Sequence, residues 1–158
     1  MVNVMWGGCY GAGVGIDMNK EEAFSYYKLS AEQCFPSGQC KLGWCYANGL
    51  GATIDKEKAF EYLKLSADGN FAGGQCGVGW CYENGIGVDI DKEEAFRYYM
   101  MSADQGDAAG QYRVGTCFEK GIGVDVNKDE AQLYFKLSSD QGTSRTYITL
   151  DGLMKENS

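Results

Sequence analysis

The sequence contains no histidine, only one proline and no long apolar run. Without histidine, the chain lacks the commonest general base of enzymes and the usual triads built around it. The single proline, Pro36, and the absence of Ser/Pro-rich stretches leave no candidate linker, which favours one domain over residues 1–158. No apolar stretch approaches the roughly 18 residues that a transmembrane helix needs, so we expect no membrane partner.

Basic residues are also scarce, with 14 Lys and Arg against 22 Asp and Glu and a formal net charge of −8. Nucleic acids bind clusters of Lys and Arg, and none is present, so we expect no nucleic-acid partner. The first residues, Met1 to Trp6, lack the basic segment followed by an apolar run that is typical of a secretory signal. The composition therefore predicts a soluble, cytoplasmic protein.

The seven cysteines are an odd number, which fits poorly with a closed set of disulfides. There is no Cys-x-x-Cys pair, and histidine is absent, so a metal site is the least favoured use of these thiols. We expect free thiols first and disulfides second, and no cofactor. The sequence leaves the redox state of Cys34, Cys40 and Cys76 open.

What the chain does contain is a gapless 36-residue repeat, marked by Cys9, Cys45, Cys81 and Cys117. An aromatic residue follows each of these cysteines, and then come a Gly-x-Gly pair, an Asn or Asp, a Lys and an Ala. Residues 42–77 and 78–113 are identical at 20 of 36 positions. Such self-similarity predicts one supersecondary unit stacked on its neighbours. The units cover approximately 1–34, 35–70, 71–106 and 107–142, and a C-terminal capping helix follows within 143–158.

Each unit encodes two helices separated by the glycine loop. In the third unit the first helix is predicted over about 72–84, with Gly85 as a left-handed stop. The second helix begins after Asp91, which together with Glu94 has the pattern of a capping box. The recurring tyrosines are expected to pack in the core and between units. The fold class is therefore all-α, with four helix-loop-helix units and a cap, or nine helices in total.

Two segments carry a family resemblance: Leu42 to Gly51, followed by Asp55-x-x-Lys58-Ala59-x-x-Tyr62, resembles the Sel-one-like repeat, a relative of the tetratricopeptide repeat. Residues 78–88 resemble it more closely, and the similarity covers nearly the whole chain. The resemblance implies a right-handed α-solenoid whose first helices line the concave side, and it implies an adaptor function. This chain departs from the family where alanine is usual, since it has Gly38, Gly74 and Gly110, which indicates unusually close helix contacts.

A cysteine-rich, secreted branch of that family bridges two sites in each unit. The corresponding positions here hold no cysteine, so neither the disulfides nor the secreted context carries over: they are Ala31/Gln39, Ala67/Gln75 and Ala103/Gln111.

Catalytic and metal-binding patterns are weak. Asp125-x-Asn127-x-Asp129 copies the start of an EF-hand loop, but Glu130 stands in place of its glycine and Lys136 in place of its last glutamate. The Gly-x-Gly pairs lack the Lys-Ser/Thr of a phosphate-binding loop. The acidic residues follow the repeat, whereas a catalytic site should interrupt it. We therefore predict that the protein is not an enzyme.

The candidate partner-binding residues are those of the first helices that lie opposite the core side and vary between units. Tryptophan is enriched at binding hot spots, so Trp44 and Trp80 are the strongest indication of a binding surface. The alternative is that each indole simply covers the neighbouring helix. The full set is Cys40, Trp44, Asn48, Cys76, Trp80, Glu83, Asn84, Tyr112, Thr116, Glu119 and Lys120.

Three functions follow from this pattern, in order of preference. The first is a protein-interaction scaffold that binds a peptide or a partner helix in the concave groove. The second is a regulatory or structural segment of a longer multidomain protein, for example a kinase-linked array, with no ligand of its own. An enzyme or metal protein ranks last. In addition, Met1, Val2, Met5 and Trp6 have no preceding helix to cover them, so we expect self-association through this end or a longer parent array.

Overall fold

The computed structural model describes the backbone of residues 19–144 and the side chains of residues 19–141. Within this range there are no strands and seven helices: α1 (Lys20–Glu32), α2 (Pro36–Asn48), α3 (Lys56–Asp68), α4 (Ala72–Asn84), α5 (Lys92–Asp104), α6 (Ala108–Lys120) and α7 (Lys128–Ser144). The all-α repeat prediction is confirmed. The predicted first helix, the apolar N-terminal residues and the predicted cap after α7 fall outside the described residues.

The described first helices, α2, α4 and α6, each end at a glycine in the left-handed conformation, with φ of 71° at Gly49, 70° at Gly85 and 73° at Gly121. This conformation suits glycine because it has no Cβ. The second glycine of each loop also has positive φ, and a Cβ at Gly87 would collide with the carbonyl oxygen of Lys56. Each loop therefore rests on the start of the second helix of the preceding unit.

The second helices begin at side-chain caps, as predicted. The side chain of Asp91 accepts a hydrogen bond from the backbone N–H of Glu94 at 3.0 Å. The reciprocal half of the predicted capping box is wrong in this unit. The N–H of Asp91 donates to the carbonyl of Tyr82 at 2.9 Å, and the carboxylate of Glu94 pairs with Arg97 at 2.8 Å. The same kind of cap is formed by Asn19, Asp55 and Asn127.

Adjacent units approach closely where a glycine faces a serine. A Cβ built on Gly74 would lie 2.6 Å from the Cβ of Ser66, and Ser66 is fully buried. The equivalent distance is 2.5 Å for Gly38 with Ser30 and 2.7 Å for Gly110 with Ser102. These glycines are therefore explained by packing, as the sequence indicated.

Aromatic rings join consecutive units along the array. The ring of Tyr82 in α4 meets Phe60 of α3 edge-on at 5.8 Å and stacks with Tyr98 of α5 at 5.9 Å. Such pairs stabilise packing beyond the area they bury. The two neighbouring sets repeat the arrangement: Phe24, Tyr46 and Tyr62, and then Phe96, Phe118 and Tyr134.

Buried glutamines add a polar connection inside the later units. The side chain of Gln75, only 2% exposed, accepts a hydrogen bond from Nε2 of Gln105 at 2.8 Å. Gln111 likewise accepts from Gln141 at 2.9 Å. Because a buried amide without a partner is costly, these bonds allow the polar side chains to lie in the interior.

The first helices contact one another along the array, α2 with α4 and α4 with α6. The apolar core lies between the first and second helices, where Leu42, Leu63, Val78, Tyr99 and Val114 are at most 1% exposed. The first helices therefore form the inner side, and the residues that they turn away from the core make up one surface.

Candidate functional site

The predicted binding residues all lie on α2, α4 and α6, and because these helices are neighbours the residues form one surface. We call this surface the concave strip. It consists of Cys40, Trp44, Asn48, Cys76, Trp80, Glu83, Asn84, Tyr112, Thr116, Glu119 and Lys120.

Two tryptophans meet at the centre of the concave strip. The ring centroids of Trp44 and Trp80 are 4.9 Å apart, and their planes are tilted by 49°. Both side chains are half-buried, since each also packs against the core. The indoles thus cover each other, as the packing alternative expected, and each keeps part of its surface open to solvent.

Exposure along one row of the strip increases from the second unit to the fourth. Cys40 is buried at 7% exposure, so its thiol contributes packing and is not an accessible contact. Cys76 is half-buried, and burial raises the pKa of its thiol to about 12. Tyr112 is 55% exposed, with its ring 5.5 Å from that of Phe135. Only Tyr112 of this row offers a large accessible side chain.

The asparagines at the helix ends are exposed, and each uses one N–H of its side-chain amide within its own helix. Nδ2 of Asn48 donates to the carbonyl of Trp44, and Nδ2 of Asn84 donates to the carbonyl of Trp80, both at 3.0 Å. The hydroxyl of Thr116 donates in the same way to the carbonyl of Tyr112 at 3.1 Å. The side-chain oxygens of these residues remain able to accept hydrogen bonds from a partner.

Glu83 has an internal role that the sequence did not reveal. It accepts a hydrogen bond from the hydroxyl of Tyr99 at 2.6 Å, and the guanidinium of Arg113 lies 5.9 Å from the centre of the Tyr99 ring. Burial, followed by the bond to Glu83, raises the pKa of Tyr99 well above its usual range. A signal was present, because the positions of Tyr99 and Arg113 hold Leu63 and Gly77 one unit earlier.

Glu119 and Lys120 are exposed at the end of α6. Glu119 and Tyr112 line an open depression of about 470 Å³ between α6 and α7, together with Phe135, Ser138 and Ser139. Sequence reasoning missed the last three because they lie on a second helix. The equivalent surface of the third unit, around Tyr99 and Ser102, is contacted by α6.

Two further features of the described side chains concern metal binding and thiol reactivity. Within residues 19–141, no group of three or more His, Cys, Asp or Glu side chains is placed to hold a metal ion. None of the six cysteines of this range is in a disulfide, and burial raises the pKa of Cys45, Cys81 and Cys117 to about 12. Thiols with such a high pKa are poor nucleophiles at neutral pH, because the thiolate is the reactive form. Among the described helices, none has the length and apolarity to cross a bilayer.

Comparison with known proteins gives a consistent family assignment. A family model described as Sel1 repeat matches residues 3–33, 36–71, 72–107 and 108–143. A comparison with curated protein sequences found no significant match.

Three solved structures are similar to this chain. A Sel1 repeat protein from Oxalobacter formigenes has a TM-score of 0.76 and 29% identity over 84% of this chain and 53% of its own. The protein c5321, described as a protective antigen present in uropathogenic Escherichia coli strains displaying an SLR fold, has a TM-score of 0.69 and 30% identity over 89% of this chain and 29% of its own. Helicobacter pylori cysteine rich protein B has a TM-score of 0.61 and 26% identity over 85% of this chain and 96% of its own. The chain therefore spans about half of the first protein and under a third of the second.

Proposed function

Because this chain belongs to the Sel1 repeat family, whose members are generally protein-interaction scaffolds, we propose that it binds a peptide or a partner helix along the concave strip. The observation that carries the proposal is the Trp44–Trp80 pair, which keeps part of two indoles open to solvent at the centre of the strip. Partly exposed aromatic side chains in a concave surface are typical anchors of binding energy. No catalytic step is part of the proposal.

The chemistry of the strip defines what a partner should present. An apolar side chain would cover the open faces of Trp44 and Trp80. Backbone or side-chain N–H groups of the partner would donate to the side-chain oxygens of Asn48 and Asn84, whose amide groups are oriented by bonds to the carbonyls of Trp44 and Trp80. The exposed ring of Tyr112 extends the surface into the fourth unit. This combination of an apolar centre and a polar rim matches the usual anatomy of protein interfaces.

The test uses a phage-displayed library of random peptides, selected on the 158-residue chain. Selected peptides should lose affinity about 30-fold with Trp80→Ala, since a hot-spot residue contributes about 2 kcal/mol. Leu65→Ala is the matched control, because Leu65 is a 44% exposed apolar residue on a second helix and outside the strip. Failure to select any peptide, or selected peptides that bind Trp80→Ala as well as the native chain, would show that the strip is not the binding surface.

The second candidate, a segment of a longer regulatory array without a ligand of its own, is favoured by one observation. The first two similar structures are longer than this chain, which covers 53% and 29% of them. Peptide binding by the isolated chain separates the two candidates. For location, the cysteines of the described part form no disulfide, which fits a reducing compartment, and we propose a cytoplasmic location on this ground.

A further inference from the structure

Leu63 of α3 lies between two glycines of neighbouring first helices. A Cβ on Gly43 of α2 would be 2.8 Å from Cγ of Leu63, and a Cβ on Gly77 of α4 would be 2.7 Å from its Cδ2. Leu63 has no exposed surface, so its side chain could move only against other buried groups. The absence of a side chain at position 77 is therefore what allows α4 to lie against Leu63.

The two other junctions of the described array use a different pair at the same positions. Nζ of Lys41 lies 5.9 Å from the ring centre of Tyr27, and the guanidinium carbon of Arg113 lies 5.9 Å from the ring centre of Tyr99. A cation over a tyrosine thus stands on either side of the Leu63–Gly77 junction. The two residues of each junction are matched in size: the tyrosine ring packs with Lys or Arg, and the smaller leucine packs with glycine.

The tryptophan pair forms across the Leu63–Gly77 junction. Trp80 follows Gly77 by three residues and so lies one turn further along the same helix face. It reaches Trp44 of α2, whereas the next first helix carries Thr116 at the equivalent position. The aromatic contact therefore lies at the junction where the second helix supplies leucine and the first helix supplies no side chain.

We propose that Gly77 is a positioning residue for the concave strip. Because it has no side chain, Leu63 packs directly against it, and α4 lies where Trp80 contacts Trp44. A side chain at position 77 must displace Leu63 or move α4, and Trp80 moves with α4. The binding consequence rests on the function proposed above, but the geometric consequence does not. A partner anchored on both indoles would lose affinity when they separate, although Gly77 itself is not part of the strip.

The experiment follows the Trp44–Trp80 interaction by near-ultraviolet circular dichroism and tryptophan fluorescence, which require no partner. All variants carry Trp6→Phe, which removes the third tryptophan of the chain, and Trp44→Phe in this background provides the spectrum of Trp80 without its tryptophan partner. Gly77→Ala should shift both signals toward that reference. The double variant Leu63→Tyr with Gly77→Arg, which transfers the Tyr99–Arg113 pair into this junction, should shift them further. Arg113→Ala, at the equivalent position of the next junction, is the control and should leave both signals unchanged.

Folding is checked by far-ultraviolet circular dichroism, and the milder Gly77→Ala decides the question if the double variant does not fold. A native Trp44–Trp80 signal in Gly77→Ala overturns the proposal. A shifted signal with about a tenfold loss of selected-peptide binding supports both the positioning role and the proposed function. A shifted signal with no change in peptide binding supports the positioning role and counts against the strip as the binding surface.

Discussion

Gly74→Ala tests the close packing between units, because two effects of known size oppose each other at this position. Alanine is the better helix former by about 1 kcal/mol, so an unhindered substitution would stabilise α4. The new methyl group, however, would lie 2.6 Å from Cβ of Ser66 and 2.7 Å from the backbone nitrogen of Ala67. Backbone cannot rotate away as the end of a long side chain can. The overpacking cost should therefore be near the upper end of its usual range, about 3 kcal/mol.

The net expectation is a loss of about 2 kcal/mol in the free energy of unfolding, measured by urea denaturation. For a chain of this size, that loss lowers Tm by about 4–8 °C. Ser66→Ala in the same chain should restore only part of the loss, since it removes the hydroxyl oxygen, which is the nearest atom, but leaves the Cβ of Ser66 and the backbone nitrogen of Ala67 in contact. An increase in stability for Gly74→Ala would refute the argument, because it would mean that helix propensity outweighs packing at this junction.

Two further predictions concern the ring contacts and the buried thiols. Tyr82→Ala should cost about 3 kcal/mol of stability, because the Tyr82 ring has two aromatic neighbours. Trp80→Ala should cost less stability and mainly weaken partner binding, because Trp80 has one aromatic neighbour. Equal losses in thermal melts would make Trp80 a structural residue. Stability should also fall as pH rises from about 9 toward 12. Burial raises the pKa of thiols such as Cys76 and Cys81 to about 12 in the folded chain. The unfolded chain therefore loses these protons at lower pH than the folded chain, which favours unfolding. Thermal melts across this pH range should show a smaller loss of stability for Cys81→Ala than for the native chain. An equal loss would contradict the conclusion that the buried Cys81 thiol contributes to this pH dependence.

The helix boundaries were predictable because their signals are local. The structure begins and ends α4 at the predicted residues, and Gly85 and Asp91 take the stop and cap conformations that their types favour. The second half of the capping box was wrong because the competing acceptor, the carbonyl of Tyr82, belongs to the preceding helix. A sequence window around the cap contains no information about that acceptor.

The candidate site was predictable as a set of positions and not as a set of contacts. Helical periodicity placed Trp44 and Trp80 on the same side of successive helices, but their contact depends on how closely two units approach. The bond from Tyr99 to Glu83 joins residues of different helices, and periodicity does not report such partners. The burial of Cys40 likewise depends on its neighbouring unit, so reading each helix alone made it look accessible.

The buried glutamine pairs have a consequence for how the array responds to force. In the third unit, Gln105 ties the end of its second helix to the start of its first through Gln75. The second unit has Gly69 in place of the donor, and a Cβ there would lie 2.8 Å from the ring of Pro36, so a side chain would require the ring to shift. The second and fourth units both join these helix ends through a serine hydroxyl, which donates from Ser66 to the carbonyl of Pro36 at 2.7 Å and from Ser138 to the carbonyl of Ala108 at 2.8 Å. Of these two units, the fourth adds the glutamine pair of Gln141 and Gln111. A load on the two ends of the array should therefore open the second unit before the fourth, because the second has one side-chain hydrogen bond fewer at this point.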